Sequence, residues 1–277
     1  MKSTLLFFAR LVSVVLILSL SALLLNLLFT HGAEAFFHLL ALAGLDLGEE
    51  ALHVWLFRLD FYGLLFVVAV LSLLYGAVRF LLRRDFIRHS RLYPPRQNSL
   101  LLAIPIGVSI VFLSSSLLRL LRHFFPVTLA ELQSRLEVVA EGEATAMVFA
   151  MVLFAPFFEE IFFRGILFRV FERQRASLWM SLVLTAFLFA VYQMNVVDGL
   201  VAFAFGLVVG LAFIWSRSIW VPILIHLTHN GFYTLWRRGV FEGAFDAIPE
   251  LEVALPAVFV FGVLPVSLWR LHRTSKR

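Results

Sequence analysis

The stretch APFFEEIFFRGILF, residues 155–168, sets two carboxylates and a guanidinium into a run that is otherwise almost wholly apolar. A charge at the centre of a membrane helix costs from ~2.5 to more than 10 kcal/mol, so such a trio must be paired to be retained there. On a helix, Glu160 and Arg164 stand four residues apart and can form an ion pair, while Glu159 is turned by about 100° onto a neighbouring face. One carboxylate is thereby left over, and a carboxylate partly shielded from water is a candidate general base. The plainer alternative is that the three residues only pin one helix against others, as buried polar clusters can.

The rest of the chain agrees with a lipid setting. Of 277 residues 61% are hydrophobic, 31 of them Phe, and the mean hydropathy is +0.94, far above the roughly 45–50% apolar content of soluble domains. At ~20 residues per crossing, that apolar content corresponds to about eight spans. The expected fold is therefore all-α, a polytopic membrane helix bundle of about eight transmembrane helices. Apolar runs place them near 5–29, 61–82, 100–121, 144–168, 178–197, 200–215, 219–236 and 253–269. The sixth is short, and Gly199, Gly206 and Gly210 in and beside it allow close helix approach. Trp179, Trp215, Trp220, Trp236 and Trp269 fall near span ends, where indole prefers the interface. We expect one continuous bundle with three stretches: N-terminal helices and outer connections over 1–143, a core over 144–236, and a final helix and tail over 237–277. The opening apolar run is too long for a signal-peptide core and is expected to stay as the first span.

The net charge of +5 does not point to nucleic acid, because the arginines sit in short connections between apolar runs, where they bias orientation instead. Arg79, Arg83, Arg84, Arg88, Arg91 and Arg96 lie between spans two and three, and Arg169, Arg173 and Arg175 follow span four. Taken as cytoplasmic, these loops put both termini inside a bacterial-type inner or plasma membrane and the acidic connection at Asp46, Glu49 and Glu50 outside. Arg119, Arg122, Arg237 and Arg238 fall on the other side. Residues 127–144 read as an interfacial amphipathic segment. A second carboxylate and arginine group, residues 48–58, lacks the four-residue spacing and reads as a solvated face. With no cysteine, thiol chemistry and disulfides are excluded.

A second polar cluster occurs in ILIHLTHNGF, residues 223–232. His226 and Asn230 share a helix face, with His229 somewhat rotated. Three polar side chains on one turn of a span imply a cavity. No cofactor is expected; a divalent metal, zinc, on Glu159, His226 and His229 would make the site metalloprotease-like, although the spacing is weaker than H-E-x-x-H. Counted from the arginine-rich ends, Glu159 lies about 14 Å deep and His226 about 10 Å, so the two agree in level. Gln193 falls at about 18–25 Å. A cavity reaching these groups from the cytoplasm would admit water and peptide.

These clusters resemble the CAAX-protease and bacteriocin-processing family, also called the Abi family, of intramembrane glutamate endopeptidases. Its marks are E-E-x-x-x-R, F-x-x-x-H and H-x-x-x-N or H-x-x-x-D on successive spans. Here Glu159-Glu160-x-x-x-Arg164 and His226-x-x-x-Asn230 match, over a resemblance covering about 144–236. The middle motif reads Phe189-x-x-x-Gln193, with a neutral amide where the family has histidine. The resemblance implies a CAAX prenyl protease-like hydrolase acting on a peptide or protein at the bilayer. In it Glu159 would be general base, Glu160 and Arg164 its supports, Gln193 a water-binding amide, and His226 with Asn230 the oxyanion donors. His229 could stand in for the missing histidine. The competing reading is a non-catalytic member that binds a peptide or lipid as a membrane scaffold, since Gln193 cannot move a proton at neutral pH. A proton-coupled transporter fits less well, for want of inverted repeats.

Overall fold

The computed structural model describes residues 85–95, 97–128, 150–174, 176–193, 195–240, 248 and 250–275, with the isolated positions 42, 76 and 79. Spans one and two, the group at 48–58 and most of 127–144 lie outside the described residues. The chain divides into two compact units, Met1–Phe86 with Glu143–Ala150, and Ile87–Gly142 with Met151–Arg277. Apart from Phe86 and Ala150, the second holds the elements described below.

Among the described residues the structure is helical throughout, without strands. After a single turn at Phe86–His89, α1 is Gln97–Leu121. Helix α2 is continuous through four pieces: a π-helical Ala150–Phe154, an α-helical Ala155–Glu160, a π-helical Ile161–Phe168 and an α-helical Arg169–Arg173. Then follow α3, Leu178–Tyr192, α4, Val196–Ser216, and α5, Trp220–Arg237. Helix α6 runs through Leu251–Val258, a π-helical Phe259–Val263 and Leu264–Ser275. Three of these are long and apolar enough to cross a bilayer: Asn98–Leu121, Val196–Ser216 and Leu251–Thr274. Helices of this length and apolarity suit an integral membrane protein. Helix α5 falls short of that criterion because it carries the polar side chains of the second cluster.

Two expected boundaries move. The apolar run from 178 to 215 reads as spans breaking near Gly199, but the break is earlier, and α4 is a full 21-residue helix. The cause is Asn195, whose side-chain oxygen accepts from the N–H groups of Val197 (2.9 Å) and Asp198 (3.1 Å), satisfying donors that a helix start leaves unpaired. Helix α3 is correspondingly only 15 residues long, about 22 Å, and Gln193 sits at its C-terminal end. At its start, Ser177 caps the helix by accepting from Met180 N–H at 3.1 Å.

Small residues then bring α3 and α4 together. Descending α3 and ascending α4, Gly199 faces Ala190, Gly206 faces Ala186 and Gly210 faces Leu182, each so closely that a Cβ on the glycine would lie 3.1 Å or less from its neighbour. This is the close approach expected of these three glycines. Elsewhere aromatic rings fill the space: Phe112 of α1 stacks on Phe259 of α6 at 4.7 Å and meets Trp236 of α5 edge-on at 5.3 Å.

At the end of the unit opposite the α3–α4 turn, the loop before α1 is clamped. Arg91, with a positive φ of 53°, pairs with Glu172 of α2 at 3.3 Å, lies over the Phe213 ring at 5.0 Å and accepts at its carbonyl from Ile219 N–H at 3.2 Å. Glu172 also pairs with Arg169. Burial, then the neighbouring Arg169, pulls the Arg91 guanidinium down to about 10, so it remains a cation at neutral pH.

The closest helix approach is testable. A Cβ at Gly107 of α1 would lie 2.7 Å from both the Ile225 carbonyl oxygen and Thr228 Cβ of α5, whereas at Gly231 the nearest atom, Val152 Cγ1, is an ordinary 3.6 Å away. Gly107→Ala is expected to cost about 1–3 kcal/mol by overpacking. Gly231→Ala is expected to be neutral, or to gain up to ~1 kcal/mol of helix propensity. Thermal unfolding in detergent micelles ranks the two, and the reverse order would contradict this α1–α5 contact.

Candidate functional site

The two adjacent glutamates take different positions because each residue along α2 turns the side chain by about a quarter turn. Glu160 is completely buried, as is Arg164 at 1% exposure. Arg164 Nη1 donates to Glu160 Oε1 at 2.9 Å, and its Nη2 donates to the Gly206 carbonyl of α4 at 3.5 Å. The guanidinium also lies 4.9 Å above the Phe189 ring of α3. The expected i,i+4 pair therefore forms, and it forms where α2 widens from an α-turn into a π-helical stretch, a feature frequent at functional sites and absent from the sequence reading.

Glu160 also reaches α5. His226 Nδ1 lies 2.8 Å from the same Oε1, and its Nε2 lies 3.7 Å from Glu159 Oε2. That separation is too long for a direct hydrogen bond, but it lets one oxygen placed beside both atoms touch each. The imidazole is packed against Phe205 at 4.5 Å and Phe189 at 6.2 Å. Phe189, first residue of the departed middle motif, thus serves as the floor under both Arg164 and His226.

Glu159 faces the other way, into a cavity of about 410 Å³. Its wall includes Gln193 of α3, Asp198 and Phe205 of α4, His226, His229 and Asn230 of α5, and Ser114 of α1. The residues singled out in the sequence therefore converge: Glu159, Gln193, His226 and Asn230 line one space, with Glu160 and Arg164 packed behind it. His229 lines it too, but its ring nitrogens are committed. Nδ1 lies 2.9 Å from Asn230 Oδ1 and Nε2 3.4 Å from Ser114 Oγ. With Nδ1–H donating to Asn230, the amide oxygen is held by His229. Both ring nitrogens of His229 therefore have partners within the protein. Asp198 and Ser114 escaped the sequence reading; they come from helices whose polar residues showed no motif spacing.

Among the described residues no three His, Cys, Asp or Glu side chains are grouped to hold a metal ion. His226 Nδ1 is engaged by Glu160, which leaves its Nε2 toward Glu159, and both His229 nitrogens are engaged by neutral partners.

From Glu159 and His226 the cavity extends toward Gln193, Asp198 and Thr234, that is, toward the C-terminal ends of α3 and α5 and the start of α4. This leads away from the Arg91 and Glu172 end, which the charge count assigns to the cytoplasm.

Residues 141–232 match the family model described as Rce1-like, type II CAAX prenyl endopeptidase Rce1-like. This is the family that the motifs resemble, and the matched segment spans Glu159 through Asn230. No curated protein and no solved structure matches the chain.

Two outcomes follow from the geometry. Removing one member of a buried pair strands the other, so Arg164→Met is expected to destabilise by about 3–5 kcal/mol, and the double change Glu160→Leu with Arg164→Met by less than the two single changes added together; unfolding in detergent measures both. Because the chain has no cysteine, single cysteines report access. Thr234→Cys is expected to react with a polar thiol reagent from the same membrane side as Gly239→Cys and from the side opposite to Arg217→Cys, while Val209→Cys, buried at 0%, stays unlabelled.

Proposed function

We propose that the protein is an intramembrane endopeptidase that hydrolyses a peptide bond of a membrane-associated peptide by water activated at Glu159. The observation carrying this is the convergence of Glu159, Gln193, His226 and Asn230, from three helices, on one cavity of about 410 Å³, a size suited to a short stretch of substrate. The family match over 141–232 supports the reaction class. A prenylated C-terminal peptide and a small secreted or membrane peptide both fit it.

In this scheme a water held between Glu159 Oε2 and His226 Nε2 gives its proton to Glu159 as its oxygen attacks the scissile carbonyl. The negative charge developing on the carbonyl oxygen is met by the Asn230 amide, oriented by His229, and by His226 when its Nε2 carries a proton. Glu160, fixed by Arg164, holds Nδ1 at 2.8 Å and so orients the ring with Nε2 toward Glu159. The departing amine takes up the proton from Glu159, which returns the carboxylate to its starting state. Gln193 orients water through its amide without exchanging a proton.

A second reading, a non-catalytic scaffold binding a peptide or lipid in the same cavity, is favoured by Gln193 itself. The two readings part under mutation. In the endopeptidase, Glu159→Ala is expected to lower the rate by at least 10²–10⁴-fold, the range typical of general acid–base assistance, while Gln193→His leaves it equal or faster. Cleavage of a peptide panel by purified protein, followed by mass spectrometry, gives the answer. A folded Glu159→Ala protein that keeps its full cellular phenotype would establish the scaffold instead.

A further inference from the structure

The last turn of α6 ends beside the first turn of α1, and between them lies a groove of about 670 Å³. Its wall on α1 is Asn98, Leu101 and Leu102, and on α6 Trp269, Arg270 and Arg273. The helix period sorts that turn of α6 into two faces. Leu271 is completely buried and the His272 ring lies 5.0 Å from Trp215 of α4, so Arg270 and Arg273, three residues apart, share the face turned away from the core. Arg273 is also held in place, its guanidinium 4.1 Å from the centre of the Trp269 ring. Among the described residues no Asp or Glu lines the groove, and neither arginine has an ion-pair partner. With two guanidinium groups and no carboxylate on its wall, the groove favours an anion.

Depth adds a second requirement. Asn98 opens one candidate span, Asn98–Leu121, and Thr274, next to Arg273, closes another, Leu251–Thr274, so the polar rim sits where hydrocarbon gives way to headgroups. Leu101, 70% exposed, and Leu102 stand three and four residues further into α1, about 4.5–6 Å deeper. A cationic rim above an apolar wall matches a molecule with an anionic head and a hydrocarbon tail. We infer that this groove binds the phosphate-bearing headgroup of an anionic phospholipid, with Arg270 and Arg273 on the phosphate, Asn98 donating beside them and an acyl chain along Leu101 and Leu102. The end concerned is that of Arg91, whose guanidinium lies over Phe213, two residues before Trp215. The lipid therefore belongs to the leaflet that the charge count makes cytoplasmic, where anionic headgroups attract basic side chains near the surface. The site does not depend on the endopeptidase reading. In the competing account the two arginines only bias orientation, as any cation at this end would, and no headgroup is preferred.

Native mass spectrometry of the full chain released from detergent micelles, with phosphatidylglycerol or phosphatidylcholine of the same acyl chains, tests this directly. The wild-type protein is expected to bind phosphatidylglycerol about tenfold more tightly or better, as for two basic side chains facing an anionic headgroup, and the preference is expected to fall as salt is raised. Neither readout needs a variant to fold. Changing Arg270→Gln and Arg273→Gln together is expected to remove the preference, while Arg217→Gln, which takes a cation from the same end but not from the groove, leaves it intact. Leu101→Asn is expected to weaken phosphatidylglycerol binding without changing the binding of inorganic phosphate. Equal binding of the two lipids by the wild-type protein overturns the inference, as does a preference that survives the double change or is lost as fully through Arg217→Gln. Inorganic phosphate bound as tightly as the lipid, with Leu101→Asn affecting neither, identifies a site for free phosphate and overturns the lipid assignment.

Discussion

The contact on which the assembly rests is the buried carboxylate of Glu160. A completely covered anion survives only with partners close at hand, and here they come from Arg164, 2.9 Å away, and His226, 2.8 Å away on another helix. Arg164 in turn spends its remaining reach on the Gly206 carbonyl and the Phe189 face. A single charge thereby ties α2 to α3, α4 and α5. The glycine at 206 belongs to the same arrangement, since a Cβ there would press on Ala186 at 3.1 Å and sit in contact with the guanidinium at 3.5 Å.

That investment explains why two glutamates stand side by side. Glu160 is consumed in holding the bundle and the imidazole, and the adjacent Glu159, a quarter turn round, keeps its oxygens toward the cavity. His226 joins the two tasks through its two nitrogens, one committed inward and one outward. The pair His229 and Asn230 repeats the pattern at smaller scale, with an engaged imidazole setting the direction of a neighbouring amide.

Much of this was legible in the sequence where spacing within one helix decides the outcome. The Glu160 and Arg164 pair, the shared face of His226 and Asn230, and the glycine contacts of α4 all follow from helical periodicity. Three features did not. Helix α3 was read too long because the apolar run hides its end, although Asn195 ahead of Asp198 is a helix-start signature that outweighs hydropathy. The π-helical stretches of α2 have no compositional mark, since their wider turns depend on what the helix packs against. The commitment of His229 to Asn230 and Ser114, and the presence of Asp198 at the cavity's far end, depend on which helices become neighbours, which one sequence does not state.

The α3–α4 turn has a mechanical consequence. With Asn195 holding the turn and three glycines locking the two helices face to face, the hairpin behaves as one stiff body bearing Gln193 and Asp198 at its tip. Room for a bulky guest then has to be made elsewhere, along the seam where Phe189 and Phe205 of this hairpin slide against the imidazoles of α5. Rings that meet tilted or edge-on yield there without breaking an ion pair, so the bundle's give is concentrated beside the atoms that would do the chemistry.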